Sequence, residues 1–166
     1  TPVKFKVAGH WWPSALEAEF RSAIKERGLG DQVEILGPVT EEHLMELYRG
    51  ARAVLYPNRT PVSLVLMEAA AQGCPTLMQR EGVDLFTHEV DGLFPIGGEP
   101  GTGRDVQTNR PSDLTEFIIS AELLINDERL AWKLGQAAWE LAKKYSWHAR
   151  AERLIGLIEQ HLPGQG

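Results

Sequence analysis

The chain has 166 residues, 43% of them hydrophobic, the size and apolar content of one ordinary domain able to bury a core without disulfides or metal. With 17 basic and 23 acidic side chains, a formal charge of -6 and a pI near 5.4, it lacks the basic excess of a nucleic-acid binder, and no broad polyanion surface is expected. A single phosphate ligand stays compatible with this balance, because backbone N–H groups at a helix N-terminus hold phosphate without any basic residue.

Cys74 is the one cysteine, so neither an intrachain disulfide nor a cysteine metal cluster can form. A reducing, cytoplasmic setting fits. The longest apolar runs, such as residues 63–71, are too short to span a bilayer, and no basic-then-apolar leader precedes the first strand-like stretch. The opening Thr1-Pro2, without an initiator methionine, suggests a piece of something longer.

In chain order, Val3, Phe5 and Val7 alternate with Lys4 and Lys6, the period-two pattern of a strand with one wet face. Ser14 with Glu17 three residues on has the form of a capping box, and Leu16, Phe20, Ala23 and Ile24 repeat at helical spacing until Gly28. Residues 33–36 read as a strand and Gly37-Pro38 as a turn. Thr40 then caps a helix that carries Leu44, Leu47 and Tyr48 inward and stops at Gly50. The unbroken run Ala53-Val54-Leu55-Tyr56 predicts a strand covered on both faces. Residues 64–72 predict a buried helix, and 75–78 the next strand. Residues 97–110 are rich in glycine and polar side chains, and three capped helices follow, near 111–126, 127–144 and 147–161.

Alternating strands and helices at this spacing predict right-handed crossovers and an α/β fold, a doubly wound parallel sheet with helices on both faces and a helical C-terminal third. Ligands in such sheets bind beyond the carboxyl ends of the strands, which directs attention to the loops at 9–13, 37–40, 57–63 and 79–86. The glycine-rich stretch from Gly97 to Arg104 is no phosphate loop, since it lacks the Gly-Lys-Ser/Thr ending directly before a helix. The five histidines show no metal spacing, and four read as solvated or packing residues. His10 differs, because it follows Gly9 at a strand's carboxyl end and could face the ligand crevice; the alternative is a turn residue. Trp11 and Trp12 share that loop, with core packing over the adjacent helix favoured above stacking on a base or sugar.

Glu68 is the one charged residue in Leu64-Val65-Leu66-Met67-Glu68-Ala69-Ala70-Ala71. A carboxylate in so apolar a helix needs a partner, because an unpaired buried charge costs several kcal/mol. That partner is a protein group, such as an arginine or a helix N-terminus, or else a ligand. Sugars offer pairs of hydroxyls that one carboxylate accepts together.

Around this helix the sequence resembles the C-terminal, donor-binding domain of the GT-B glycosyltransferases, in particular the retaining group 1. The resemblance runs through Val33-Glu34-Ile35-Leu36-Gly37-Pro38-Val39, residues 44–48 and Ala51-Arg52-Ala53-Val54-Leu55-Tyr56-Pro57. It continues through residues 64–76, Asp91-Gly92-Leu93-Phe94 and Tyr145-Ser146-Trp147, and so covers nearly the whole chain. The glutamate helix with its following Gly73-Cys74-Pro75 is the most specific piece. The resemblance implies a nucleotide-sugar donor with its ribose hydroxyls on Glu68 and its diphosphate on the backbone at Ser63 and Leu64. It further implies a base seated through main-chain contacts in the loop holding Pro38 and Val39, and no metal or other cofactor.

Two departures from the family pattern bear on activity. Where the family carries a second glutamate for the transferred sugar, this chain has Thr60, which bonds but bears no charge, and the approach to the phosphate reads Pro61-Val62-Ser63. The family's opening strand and helix, with their basic residues, are also missing, so a gap or re-pairing is expected between the strands near Val3 and Ala53. The expectation is one nucleotide-sugar-binding domain over residues 1–166, the donor half of a hexosyl-type glycosyltransferase. The acceptor-binding N-terminal domain lies elsewhere, and any peripheral membrane contact would come through that half. The isolated chain is not expected to transfer sugar. The alternative is a non-catalytic nucleotide- or carbohydrate-binding module, or a scaffold, of the same fold.

Overall fold

The computed structural model describes residues 3–11, 13–57, 64–78, 86, 89–93 and 115–161. The chain divides into two compact units, residues 1–47 and 48–166.

The first unit contains β1 (Phe5–Ala8), α1 (Ala15–Glu26), β2 (Val33–Gly37) and most of α2 (Glu41–Gly50). β1 and β2 pair in parallel, Phe5 opposite Val33 and Val7 opposite Ile35, before the register shifts so that Ala8 meets Gly37. Gly37, at a φ of 67°, supplies the left-handed residue that closes this irregular end. Lys6 faces Glu34 across the pair at 4.0 Å, with both side chains about half exposed, so the contact contributes little.

The start of α1 departs from the expected capping box. Ser14 takes helical backbone angles and makes no side-chain cap bond. Its carbonyl accepts from Glu17 N at 3.1 Å, while the Glu17 carboxylate turns down the helix to Arg21 at 2.7 Å. Once Ser14 is itself wound into the first turn, its hydroxyl no longer faces the free N–H groups that a cap serves. Thr40 behaves as expected, its Oγ1 accepting from His43 N at 3.3 Å.

The second unit contains β3 (Val54–Tyr56), α3 (Leu64–Ala71), β4 (Thr76–Met78), α4 (Thr115–Asn126), α5 (Glu128–Lys144) and α6 (Trp147–His161). β3 and β4 pair in parallel, Val54 opposite Thr76 and Tyr56 opposite Met78. Leu93 bonds to the other edge of β4, with Met78 N donating to Leu93 O at 3.1 Å and Leu93 N to Thr76 O at 3.0 Å. β4 is therefore flanked on both sides and all three of its residues are buried, whereas β3 is only half-buried. The strand covered on both faces is β4, with Met78 packed in one buried cluster and Leu77 in the other, whereas the apolar run at 53–56 is only half-buried.

Side-chain alternation along β4 divides the core in two. Met78 joins Leu66, Ala70, Phe86, Ala138 and Ala142 on one side, and Leu77 joins Leu93, Phe117, Leu124, Ala131 and Leu134 on the other. Each fully buried leucine is worth roughly 1.5–3 kcal/mol relative to exposure. α5 serves both clusters, burying Ala131, Leu134, Gly135, Ala138 and Ala142 at helical spacing. It starts at Asp127, whose side chain accepts from Leu130 N at 2.9 Å.

Among the described residues the strands form two parallel pairs, β1-β2 in the first unit and β3-β4 in the second. The fold is α/β with parallel strands and a helical C-terminal third, as the alternation predicts.

Candidate functional site

α3 is stopped by a left-handed glycine. Gly73 has a φ of 71°, its N–H donates to Ala70 O at 2.9 Å, and Cys74 N donates to Ala69 O at 3.0 Å, the paired bonds of a Schellman end. The helix is less buried than its composition predicts. Leu66, Ala69 and Ala70 are buried, but Leu64 is 75% exposed and Val65 38%. One face of α3 packs on β3, β4 and α5, and the opposite face stays outside.

Glu68 lies half-buried on α3, one turn beyond Leu64. Its described partner comes from α2: the Tyr48 hydroxyl donates to Glu68 Oε2 at 3.5 Å. Tyr48 is 6% exposed. Burial first, then the charge and hydrogen bond of Glu68, push its phenol from 10.0 up to about 12, so it stays a donor at neutral pH. The neighbouring Arg49 bypasses Glu68 and donates through Nε to Gln72 Oε1 at 2.8 Å. Consecutive residues of α2 thus hold Glu68 on α3 and Gln72 in the turn that follows it.

Among the described residues no lysine or arginine pairs with Glu68, and the bond from Tyr48 is at the long limit for an O–H donor. A carboxylate has about four acceptor positions. Glu68 is therefore oriented by Tyr48 while most of its acceptor capacity stays unused by these groups, which suits it to take two hydroxyls of a ligand. Sequence reasoning placed Tyr48 inward but missed its role. The signal was there, since a buried phenol needs a partner and Glu68 needs a donor.

Of the other expected site residues, Leu64 is the first residue of α3, its side chain outside the core. Thr60 and Ser63 lie outside the described residues, as do His88, Trp12 and residues 97–104. His10, Pro38 and Val39 belong to the first unit, where Gly9 N donates to Gly37 O at 2.8 Å and draws their two loops together at the carboxyl ends of β1 and β2. His10 and Pro38 are exposed and Val39 is half-buried. Trp11 stacks obliquely on Phe20 of α1, ring centroids 5.2 Å apart, which is the packing role and not a free platform. His43 is exposed, His148 meets Glu152 at 3.2 Å, and His161 lies 2.9 Å from Leu157 O.

Comparison with known proteins identifies the family. Residues 1–102 match the family model described as glycosyl transferases group 1. The chain is 30% identical over 149 residues to D-inositol 3-phosphate glycosyltransferase of Corynebacterium efficiens, covering 89% of this chain and 32% of that protein. Among solved structures, Anabaena HepE in complex with UDP-glucose superposes with a TM-score of 0.75 at 17% identity, over 95% of this chain and 41% of that one. The C-terminal domain of a glycosyl transferase group 1 family protein from Francisella tularensis gives 0.67 at 16% identity, over 88% of both chains. The chain spans about a third of the length of the curated relatives it matches. No helix among the described residues is long and apolar enough to cross a membrane. The fold is the Rossmann-like C-terminal domain of GT-B glycosyltransferases, and the chain belongs to the group 1 glycosyl transferase family.

Proposed function

We propose that this chain is the donor-binding part of a glycosyltransferase that moves a sugar from a nucleotide sugar to an acceptor, with Glu68 accepting the donor's ribose hydroxyls. The observation that carries the reading is the half-buried carboxylate of Glu68, oriented by Tyr48 and met by no cation among the described residues. Membership of the family supports it, and so does the UDP-glucose bound by the structurally similar HepE.

In this reading the diphosphate is taken by the backbone at Ser63 and Leu64, as the resemblance implies, and the helix dipole at the start of α3 favours its negative charge. The bond from the sugar's anomeric carbon to the diphosphate oxygen breaks, the nucleoside diphosphate leaves with the electron pair, and an acceptor hydroxyl oxygen forms the new bond. Fixed dipoles at that helix end stabilise the leaving charge without a metal. The remainder of the polypeptide supplies the acceptor site and excludes water, so the chain by itself binds donor but does not transfer. A cytoplasmic role in carbohydrate synthesis fits a protein with a single, reduced cysteine.

The test is calorimetric titration of UDP-glucose and GDP-mannose into the wild-type chain and into Glu68→Ala. Hydrogen bonds to a charged group are worth about 1.5–3 kcal/mol, so affinity for the bound donor falls roughly tenfold to a hundredfold. Unchanged affinity overturns the ribose assignment.

A second reading, a binding module without catalysis, draws on Thr60, a neutral side chain where the family pattern has a glutamate. Turnover of any donor by a full-length protein bearing Thr60 removes this reading. Activity that appears only in Thr60→Glu favours it.

A further inference from the structure

α5 turns Trp132, Gln136 and Trp139 outward at i, i+4 and i+7, one face of the helix. Trp132 is 69% exposed and Trp139 41%, although indoles are on average among the more buried side chains. The row borders two adjoining grooves of about 320 and 390 Å³ that have Gly73 and Gln136 as common lining. Trp139 with Arg49 and Gln72 forms the first, and Trp132 with Arg52 and Glu128 the second. The grooves meet at Gly73, whose carbonyl oxygen packs so closely on Gly135 of α5 that a Cβ there would collide with it. The lining residues 49–52 and 72–75 directly precede β3 and β4, so the grooves lie at the end of α3 remote from Leu64.

The charges in and beside these grooves are largely occupied. Arg52 Nη1 lies 3.4 Å from Glu128 Oε1, and Arg49 Nε donates to Gln72 Oε1 at 2.8 Å. Lys143 pairs with Glu140 at 2.8 Å and rests 3.2 Å from the centre of the Trp139 ring, holding that indole in place. Gln72 is neutral, so Arg49 keeps its charge, and the two linings together carry one net positive charge, too little for a polyanion. What remains available is indole surface together with the guanidinium fork of Arg49 and the amides of Gln72 and Gln136. Pyranose rings complement such a set: their C–H faces lie on an indole and their hydroxyl rims both donate to amide oxygens and accept from amide and guanidinium N–H groups. The seven-residue separation places the two indoles roughly 10 Å apart along the helix axis, room for several rings and not one.

We propose that this groove is a saccharide site for a short neutral oligosaccharide, with ring faces on Trp132 and Trp139 and hydroxyls on Gln136, Gln72 and Arg49. The site uses none of the residues assigned to the nucleotide-sugar donor, so it stands or falls apart from that reading.

The experiment titrates maltohexaose, cellohexaose and chitohexaose into the full 166-residue chain by calorimetry, with the indole N–H resonances followed by NMR. At least one sugar is expected to bind with a Kd below about 1 mM. Trp132→Ala and Trp139→Ala each weaken it tenfold or more, on the order of 1.4 kcal/mol. Glu68→Ala leaves it unchanged. Both indoles are substantially exposed, and circular dichroism checks that the variants fold; Gln136→Ala, expected to weaken binding about threefold, tests the site without touching an aromatic ring. No binding of any of the three at roughly 10 mM overturns the proposal, as does binding that survives both tryptophan substitutions. Self-association by sedimentation that Trp132→Ala abolishes, without saccharide binding, also overturns it and makes the face a contact between copies.

Discussion

The hydroxyl of Tyr48 meets Glu68 Oε2 at 3.5 Å, joining the last turn of α2 to the second turn of α3 across 20 residues of sequence. At that length the bond orients the carboxylate more than it satisfies it. Tyr48→Phe removes the donor while keeping the ring in the core, so stability falls by about 0.5–1.5 kcal/mol at most. Donor affinity is expected to drop by about threefold, less than in Glu68→Ala, because the ligand hydroxyls still find the carboxylate. Urea denaturation and donor titration of the two variants check this. A loss in Tyr48→Phe equal to that in Glu68→Ala places Tyr48 on the ligand itself.

Gly135 and Gly73 are a second pairing of this kind. A Cβ added at Gly135 would run into the Gly73 carbonyl oxygen and lie 3.3 Å from Pro75 Cδ, with backbone as the obstacle. Gly135→Ala is therefore expected to destabilise by about 1–3 kcal/mol, despite alanine's better helix propensity. Gly156, in α6, has nothing within 4 Å of the added carbon, so Gly156→Ala is expected to be neutral or to stabilise by about 0.5–1 kcal/mol. Urea midpoints measured side by side decide the matter. Equal shifts in both variants contradict the close approach of α5 to the end of α3.

Alkaline pH acts on two groups near each other in the second unit. Burial pushes the Cys74 thiol from 9.0 up to about 12, and burial with Glu68 pushes the Tyr48 phenol from 10.0 to about 12. Both groups keep their protons longer in the folded chain, so between these values the unfolded chain binds fewer protons and rising pH favours unfolding. The contribution is complete below about pH 9 and is lost as pH climbs through about 12. Melting temperature should thus fall more steeply from about pH 9 to about pH 11 in wild type than in a Cys74→Ala, Tyr48→Phe double variant. Parallel curves rule out these two groups as the cause. The same burial predicts that the Cys74 thiol, 2% exposed, reacts with a thiol reagent only on unfolding.

Much of this was legible from local chemistry. Asp127 before an apolar repeat predicts the start of α5, Gly73 after the alanine run predicts the end of α3, and Thr40 predicts the cap of α2, each through bonds spanning only a few residues. The need of Glu68 for a partner followed likewise from one charge among seven apolar neighbours.

Relationships between segments distant in sequence were decided by tertiary structure alone. Ser14 has the right neighbours for a cap but is wound into its own helix, and β4 rather than β3 is enclosed because a buried cluster forms on each of its faces. Tyr48 could be placed inward by its helical period, yet only the second unit's tertiary structure makes it the donor that meets Glu68. Periodicity and caps are properties of neighbours along the chain. The partner of a buried charge, and the strand that is covered on both faces, depend on which surfaces meet, and that is settled when the layers pack.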